Sequence, residues 1–230
     1  MTAITALSEV DHANMALSNL GIAIGIQSFN DATAEAKACA FWYSKARDQL
    51  LKSAPWNFAY LAQVLASDGS NVPGTLFAYP GWRYAYQYPN DCLQAIAVTT
   101  VYGQRLGQYY WASYWGYPYQ AGLNAFPKIP FKVVQSTAVQ GQKAILTDIP
   151  APAYLWYIQC VTNTALFDAL FSDALSWLLA AKIGGPLRAS VDKVQAANQM
   201  AQRACLSALA QCMNEAQQDP ERVSPSISVR

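Results

Sequence analysis

The sequence predicts an α+β fold, a helical bundle formed by N- and C-terminal helices with an inserted antiparallel β-sheet region. Three observations carry this. Apolar residues recur at helical spacing before residue 60. That period gives way to prolines, glycines and β-branched residues between Leu61 and Val161, and it returns from Phe167 onward. The chain of 230 residues therefore divides into N-terminal helices over 1–60, a β-rich insert over 61–161, C-terminal helices over 162–219 and a flexible tail over 220–230.

The first helix is expected over 4–20. Ile4, Leu7, Val10, Leu17 and Leu20 fall near one stripe, and Gly21 supplies the left-handed residue that ends it. His12, the chain's one histidine, lies on this helix and reads as a surface residue. A second helix is expected from a cap at Asn30 or Asp31 to Ser53, burying Ala34, Ala38, Phe41, Trp42 and Ala46 with Leu50 below. Lys45, Arg47 and Lys52 crowd its last turns, where cations suit the helix dipole, and read as a solvated helix end. Pro55 stops the helix and presents Trp56 and Phe58 just beyond it.

In the insert, 93–102, 131–137, 143–149 and 153–161 read as strands. The second and third form a hairpin through Gly141, and the last, apolar on both faces, suits a central position. Trp82, Tyr84, Tyr86 and Tyr88 fall at a spacing of two, so an extended chain lines them on a single face that wants a partner surface. The stretch 103–119 holds Tyr109, Tyr110, Trp111, Tyr114, Trp115, Tyr117 and Tyr119 among glycines. Rings of this kind anchor protein interfaces, or stack on sugars, and interface is the favoured reading because no acid pair accompanies them.

Beyond the insert, Phe167, Leu170, Phe171, Ala174, Leu175 and Leu178 make a wide apolar stripe that Gly184, Gly185 and Pro186 break. Ser190 is placed to cap a long helix reaching about Gln218. Its seam of Val191, Val194, Ala201, Cys205, Leu209 and Cys212 is expected to pack within the chain, and Ala197, Ala204 and Ala208 permit close approach. In the tail, Ile227 and Val229 alternate with serines and Arg230, a pattern able to add a strand to another subunit's sheet edge.

Composition narrows the function classes. Residues are 53% hydrophobic and 13% charged, against about 25% charged in an ordinary soluble domain. Seven Trp, fourteen Tyr and eight Phe exceed what one core of this size is expected to absorb, so apolar surface should face other subunits. A net charge of +1 makes no case for gripping nucleic acid. Five cysteines without a CxxC pair read as thiols of a reducing compartment. Neither a signal peptide nor a membrane span is expected. GxSxG, HExxH, GxxxxGK[ST] and GxGxxG are absent from the sequence, so no catalytic, metal or cofactor residue is assigned.

The segments LLKSAPWNFA (50–59) and GWRYAYQYPNDCL (81–93), between an opening helix and a later helical pair, resemble the tail tubular protein A family of short-tailed phages. The similarity spans roughly residues 3–215. The resemblance implies a non-enzymatic head-to-tail adaptor, a ring homo-oligomer with twelvefold symmetry that binds the portal protein and the tail nozzle protein. It implies a channel through which DNA passes without sequence-specific binding, a place in the virion tail, and assembly in the host cytoplasm. Related adaptors clasp the portal with C-terminal segments, a role this tail would share. The expected interface residues are Trp82, Tyr84, Tyr86, Tyr109, Trp111, Tyr114, Trp115, Tyr117, Ile227 and Val229. A tail-associated glycan-binding or peptidoglycan-degrading protein is the alternative.

Overall fold

The computed structural model describes residues 7–23, 25–54, 56–69, 79, 81–99 and 129–215. They form an α+β fold of four α-helices and two three-stranded antiparallel sheets. Helix α1 (Glu9–Asn19) starts at a reciprocal cap: Asp11 N–H donates to Ser8 Oγ at 3.1 Å, and Ser8 N–H donates to Asp11 Oδ2 at 2.8 Å. It ends at Leu20, and Gly21 takes φ 71°, the left-handed conformation that glycine adopts without a Cβ penalty. Leu17 and Leu20 are buried as expected, whereas Ile4 lies outside the described residues. His12 corrects the sequence reading. It is fully buried against Tyr43 and Phe167, because one turn in from the cap its ring faces α2 rather than solvent.

Helix α2 (Ala34–Ser53) is capped by Thr33, whose Oγ1 accepts from Ala36 N–H at 3.2 Å. Asp31 instead holds the loop, accepting from the N–H groups of Gln27 and Ser28. The buried face is also rotated from the expected one. Ala36, Cys39, Tyr43, Ala46, Arg47, Leu50 and Leu51 point inward, while Ala34 is exposed and Phe41 is 57% exposed. Small residues let α2 approach its neighbours closely, so the bulky Phe41 is left outside. Arg47, expected at a solvated end, is buried with Asp48 and Glu9 as ion partners.

After α2 the chain turns through Trp56, which is fully buried. Its indole N–H donates to Leu50 O at 2.8 Å, and Ser53 Oγ donates to the same carbonyl at 2.6 Å. Both satisfy an oxygen that the helix end leaves without a partner. Pro55 lies outside the described residues.

Strands β1 (Tyr60–Val64), β6 (Tyr154–Gln159) and β3 (Cys92–Thr99) make the first sheet in the order β1-β6-β3. The expected central place of the last strand therefore holds, with Tyr60 opposite Ile158 and Val98 opposite Leu155. Strands β2 (Tyr84–Gln87), β5 (Lys143–Thr147) and β4 (Phe131–Gln135) make the second, in the order β2-β5-β4. Its β4–β5 hairpin pairs Phe131 with Thr147, and Gly141 in the connection has φ 82°.

The first sheet separates two cores. Ile158, Leu93 and Ile96 pack toward the helices, whereas Leu155, Tyr157 and Val98 pack toward Tyr86 and Ile145 of the second sheet. The alternation of side chains along β6 produces this division directly. Helix α3 (Ala169–Ile183) packs on α1, α2 and helix α4 (Val191–Glu215), which is why it buries residues nearly all round, Phe171, Leu175, Leu179 and Ile183 among them. Of the α4 seam, Ala197, Ala208 and Cys212 join the helical core, with Cys205 and Leu209 half-buried against it and Cys212 held by Asn57, so these residues pack within the chain, whereas Val191 is 69% exposed and does not belong to the seam. Gly184 permits the approach, since a Cβ there would stand 2.6 Å from Val194 Cγ2. None of the five cysteines is in a disulfide. No described helix is long and apolar enough to cross a membrane.

Candidate functional site

Of the expected interface rings, the structure describes Trp82, Tyr84 and Tyr86, together with Tyr88 of the same row. Tyr86 is a correction: it is 2% exposed, and its hydroxyl donates to Ile149 O at 2.8 Å. Tyr86 packs with Ile145 and Leu155 in the core between the two sheets, so its ring is filled from inside the chain. Tyr84 and Tyr88 are half-buried against the same core, with Lys143 Nζ 5.2 Å from the Tyr88 ring centroid. Trp82 is half-buried in the turn before β2. Tyr109, Trp111, Tyr114, Trp115, Tyr117, Ile227 and Val229 lie outside the described residues.

A cleft of about 240 Å³ opens beside Tyr88, lined also by Gln63, Gln87, Asn90, Asp91 and Gln142. At its margin the Tyr157 hydroxyl lies 3.0 Å from Gln63 Oε1 and 3.2 Å from Asp91 Oδ1, and Gln159 Nε2 donates to Asp91 Oδ2 at 2.8 Å. Burial first, and the Asp91 charge second, push the Tyr157 phenol well above its ordinary range. Asp91 is the only acid among the described residues of the cleft, so these residues alone do not make the two-carboxylate arrangement of glycoside hydrolysis.

A second polar cluster sits where α1, α2 and the segment after β6 meet. Arg47 Nε donates to Asp48 Oδ1 at 2.9 Å, and Arg47 Nη1 is 3.9 Å from Glu9 Oε1. The Cys160 thiol lies between them, 3.6 Å from Arg47 Nη2 and 3.7 Å from Asp48 Oδ1. Burial, reinforced by Asp48, raises the Cys160 pKa, so the sulfur stays a thiol at neutral pH and is a poor nucleophile. Burial opposes the Arg47 charge, but the Asp48 hydrogen bond and charge outweigh it and raise the pKa. His12 Nδ1 is 2.7 Å from Ser8 O while Nε2 has no partner, and burial lowers its pKa. The cluster fastens α1 and α2 to the sheet. Among the described residues no group of three or more His, Cys, Asp or Glu side chains is arranged to hold a metal ion.

The outward surface carries the features that composition pointed to without locating them. Phe41 stands edge-on to Trp42 at 5.1 Å, with Lys45 Nζ 3.7 Å from the Phe41 centroid and Lys182 Nζ 5.4 Å from that of Trp42. On α4, Val191 is 69%, Leu206 67% and Met200 38% exposed, at separate places around and along the helix. Sequence reading missed this arrangement, although the i, i+4 pair Phe41 and Lys45 is a signal that could have found it. No family model matches the chain, and no curated protein matches it.

Proposed function

We propose that this chain is a structural assembly protein of a short-tailed phage virion, a head-to-tail adaptor. It forms a ring, twelvefold in symmetry, between the portal and the tail nozzle and leaves a channel through which DNA passes. In this reading the N- and C-terminal helices act as one bundle that carries the ring, and the protein has no catalytic role. The observation that carries the proposal is the exposure of large apolar side chains on helices in a chain with few charges: Phe41 beside Trp42 on α2, and Val191, Met200 and Leu206 singly along α4. Both cores are complete without them, and exposed apolar groups of this kind mark association surfaces. The motifs at 50–59 and 81–93 support the same family of partners. Trp111 and Trp115 of the insert are assigned to contact with a neighbour.

Native mass measurement of the purified chain, alone and mixed with portal rings, tests the reading. A closed ring of copies on the portal is the expected result. A chain that stays single at all concentrations and ignores the portal would overturn it. Turnover of peptidoglycan that vanishes when Asp91 is changed to Asn would move the assignment to the alternative, a wall-degrading tail protein.

A further inference from the structure

The cleft beside Tyr88 has no role in the adaptor reading. Its described walls are the end of β1, the turn between β2 and β3, and Gln142. Backbone bonds hold them in place: Gln87 N–H donates to Ala66 O at 2.8 Å, Tyr88 N–H to Lys143 O at 3.2 Å and Cys92 N–H to Pro89 O at 3.1 Å. Asp91 is fixed through both main chain and side chain. Its carbonyl accepts from Cys160 N–H at 2.7 Å, and its carboxylate accepts from Gln159 Nε2 at 2.8 Å and lies 3.2 Å from the hydroxyl of the fully buried Tyr157. The same hydroxyl engages Gln63 Oε1 at 3.0 Å, which leaves the Gln63 amide N–H groups as donors.

From this lining we infer that the cleft is a binding site for a neutral sugar. Gln63, Gln87, Asn90 and Gln142 each bring an amide that donates and accepts, Asp91 brings a carboxylate that accepts, and Tyr88 brings a ring. A sugar hydroxyl donates and accepts at once, so it can give its proton to Asp91 while taking one from an amide. A carboxylate offers about four acceptor sites, more than Tyr157 and Gln159 occupy. Because Asp91 is already held by the fold, little ordering is left for binding to cost. Charge decides against other small ligands. An anion would meet Asp91, and a cation would meet Lys143, whose Nζ already stands 5.2 Å from the Tyr88 centroid. Size sets how much of a glycan enters. At about 240 Å³ the cleft falls below the roughly 300–1,000 Å³ of sites for drug-sized ligands, so it takes one sugar ring rather than a longer chain. This site stands apart from the adaptor reading, since it lies within one chain and needs no ring of copies.

Nuclear magnetic resonance on the full-length protein tests it, reading the side-chain amide signals of Gln63, Gln87, Asn90 and Gln142. The probes are glucose, galactose, mannose and N-acetylglucosamine, each titrated into the tens of millimolar, with inorganic phosphate and ethylammonium as charged controls. At least one sugar is expected to shift these signals saturably. Its dissociation constant should be about tenfold higher in the double variant Asn90→Ala, Gln142→Ala, which removes two hydrogen-bonding groups. Both residues are exposed, so the variant keeps its fold, and its backbone spectrum checks this. A sugar site is excluded if none of the four sugars moves the signals, or if a charged control moves them at lower concentration than every sugar. It is equally excluded if the double variant binds as tightly as the native protein, because the sugar would then sit elsewhere.

Discussion

Replacing Trp56 with Ala should be among the most damaging single changes in this chain. The ring is fully buried, stands edge-on to Phe171 at 5.0 Å and lies beside Phe58 at 6.2 Å, and its N–H caps the end of α2 at Leu50 O. Emptying such a site costs about 3–5 kcal/mol, and in a domain of this size each kcal/mol lowers the melting temperature by about 2–4 °C. A fall of roughly 10 °C is expected. Trp56→Phe separates packing from capping. It keeps a ring against Phe171 and loses the donor, but Leu50 O retains the Ser53 hydroxyl and is not orphaned, so about 1 kcal/mol should be lost. Thermal melting followed by far-UV circular dichroism reads both variants. If Trp56→Ala melted within about 2 °C of the native protein, the placement of the 50–59 segment inside the helical core would be wrong.

His12 should make stability depend on acid. The unfolded imidazole takes up a proton near its ordinary value of 6.5, while burial holds the folded one below that, so the unfolded state binds more protons and stability declines as pH drops through and below that value. Melting temperatures between pH 7 and pH 5 should fall in the native protein and fall less in His12→Phe; equal slopes would exclude His12 as the cause. Gly184→Ala should cost about 1–3 kcal/mol because its methyl meets Val194 at 2.6 Å. Gly185→Ala, with nothing within 4 Å, should be neutral or slightly stabilising; urea unfolding that ranks the two the other way would refute the close α3–α4 approach.

The strands were legible where local pattern alone decides them. In β4, β5 and β6 β-branched and aromatic residues cluster between turn residues, and Gly141 sits where the hairpin turns. The division into two sheets was not legible, because alternation shows which side chains share a face but not which strands pair. β1 was missed for a related reason: Tyr60–Val64 is short, lacks turn residues at its start and becomes a strand by pairing with β6, some ninety residues away. Arg47 and His12 were read as exposed on the strength of residue type. Each is buried by tertiary partners, Asp48 and Glu9 for the arginine, Ser8 O and the rings of Tyr43 and Phe167 for the histidine. The fold's outline was thus local information, whereas the facing of α2 and the destination of the Tyr row depended on what the rest of the chain brought alongside.

That dependence changes where association surface should be sought. A high aromatic count suggests rings left over for partners, yet Trp56, Tyr43, Tyr86, Tyr157 and Phe171 are all inside. A sheet with helices on one face and a second sheet on the other has two apolar faces to fill, so it consumes more rings than a single-core domain of the same length. Within the described residues the outward apolar groups include Phe41, with Lys45 over its ring and Lys182 over that of the neighbouring Trp42, Leu166, and Val191 and Leu206 on α4. These differ in what they can bind. A ring pair flanked by lysines favours a partner carrying carboxylates, whereas aliphatic groups on a helix favour another helix. Surfaces that differ in chemistry in this way would select different partners, because each disfavours what the other accepts.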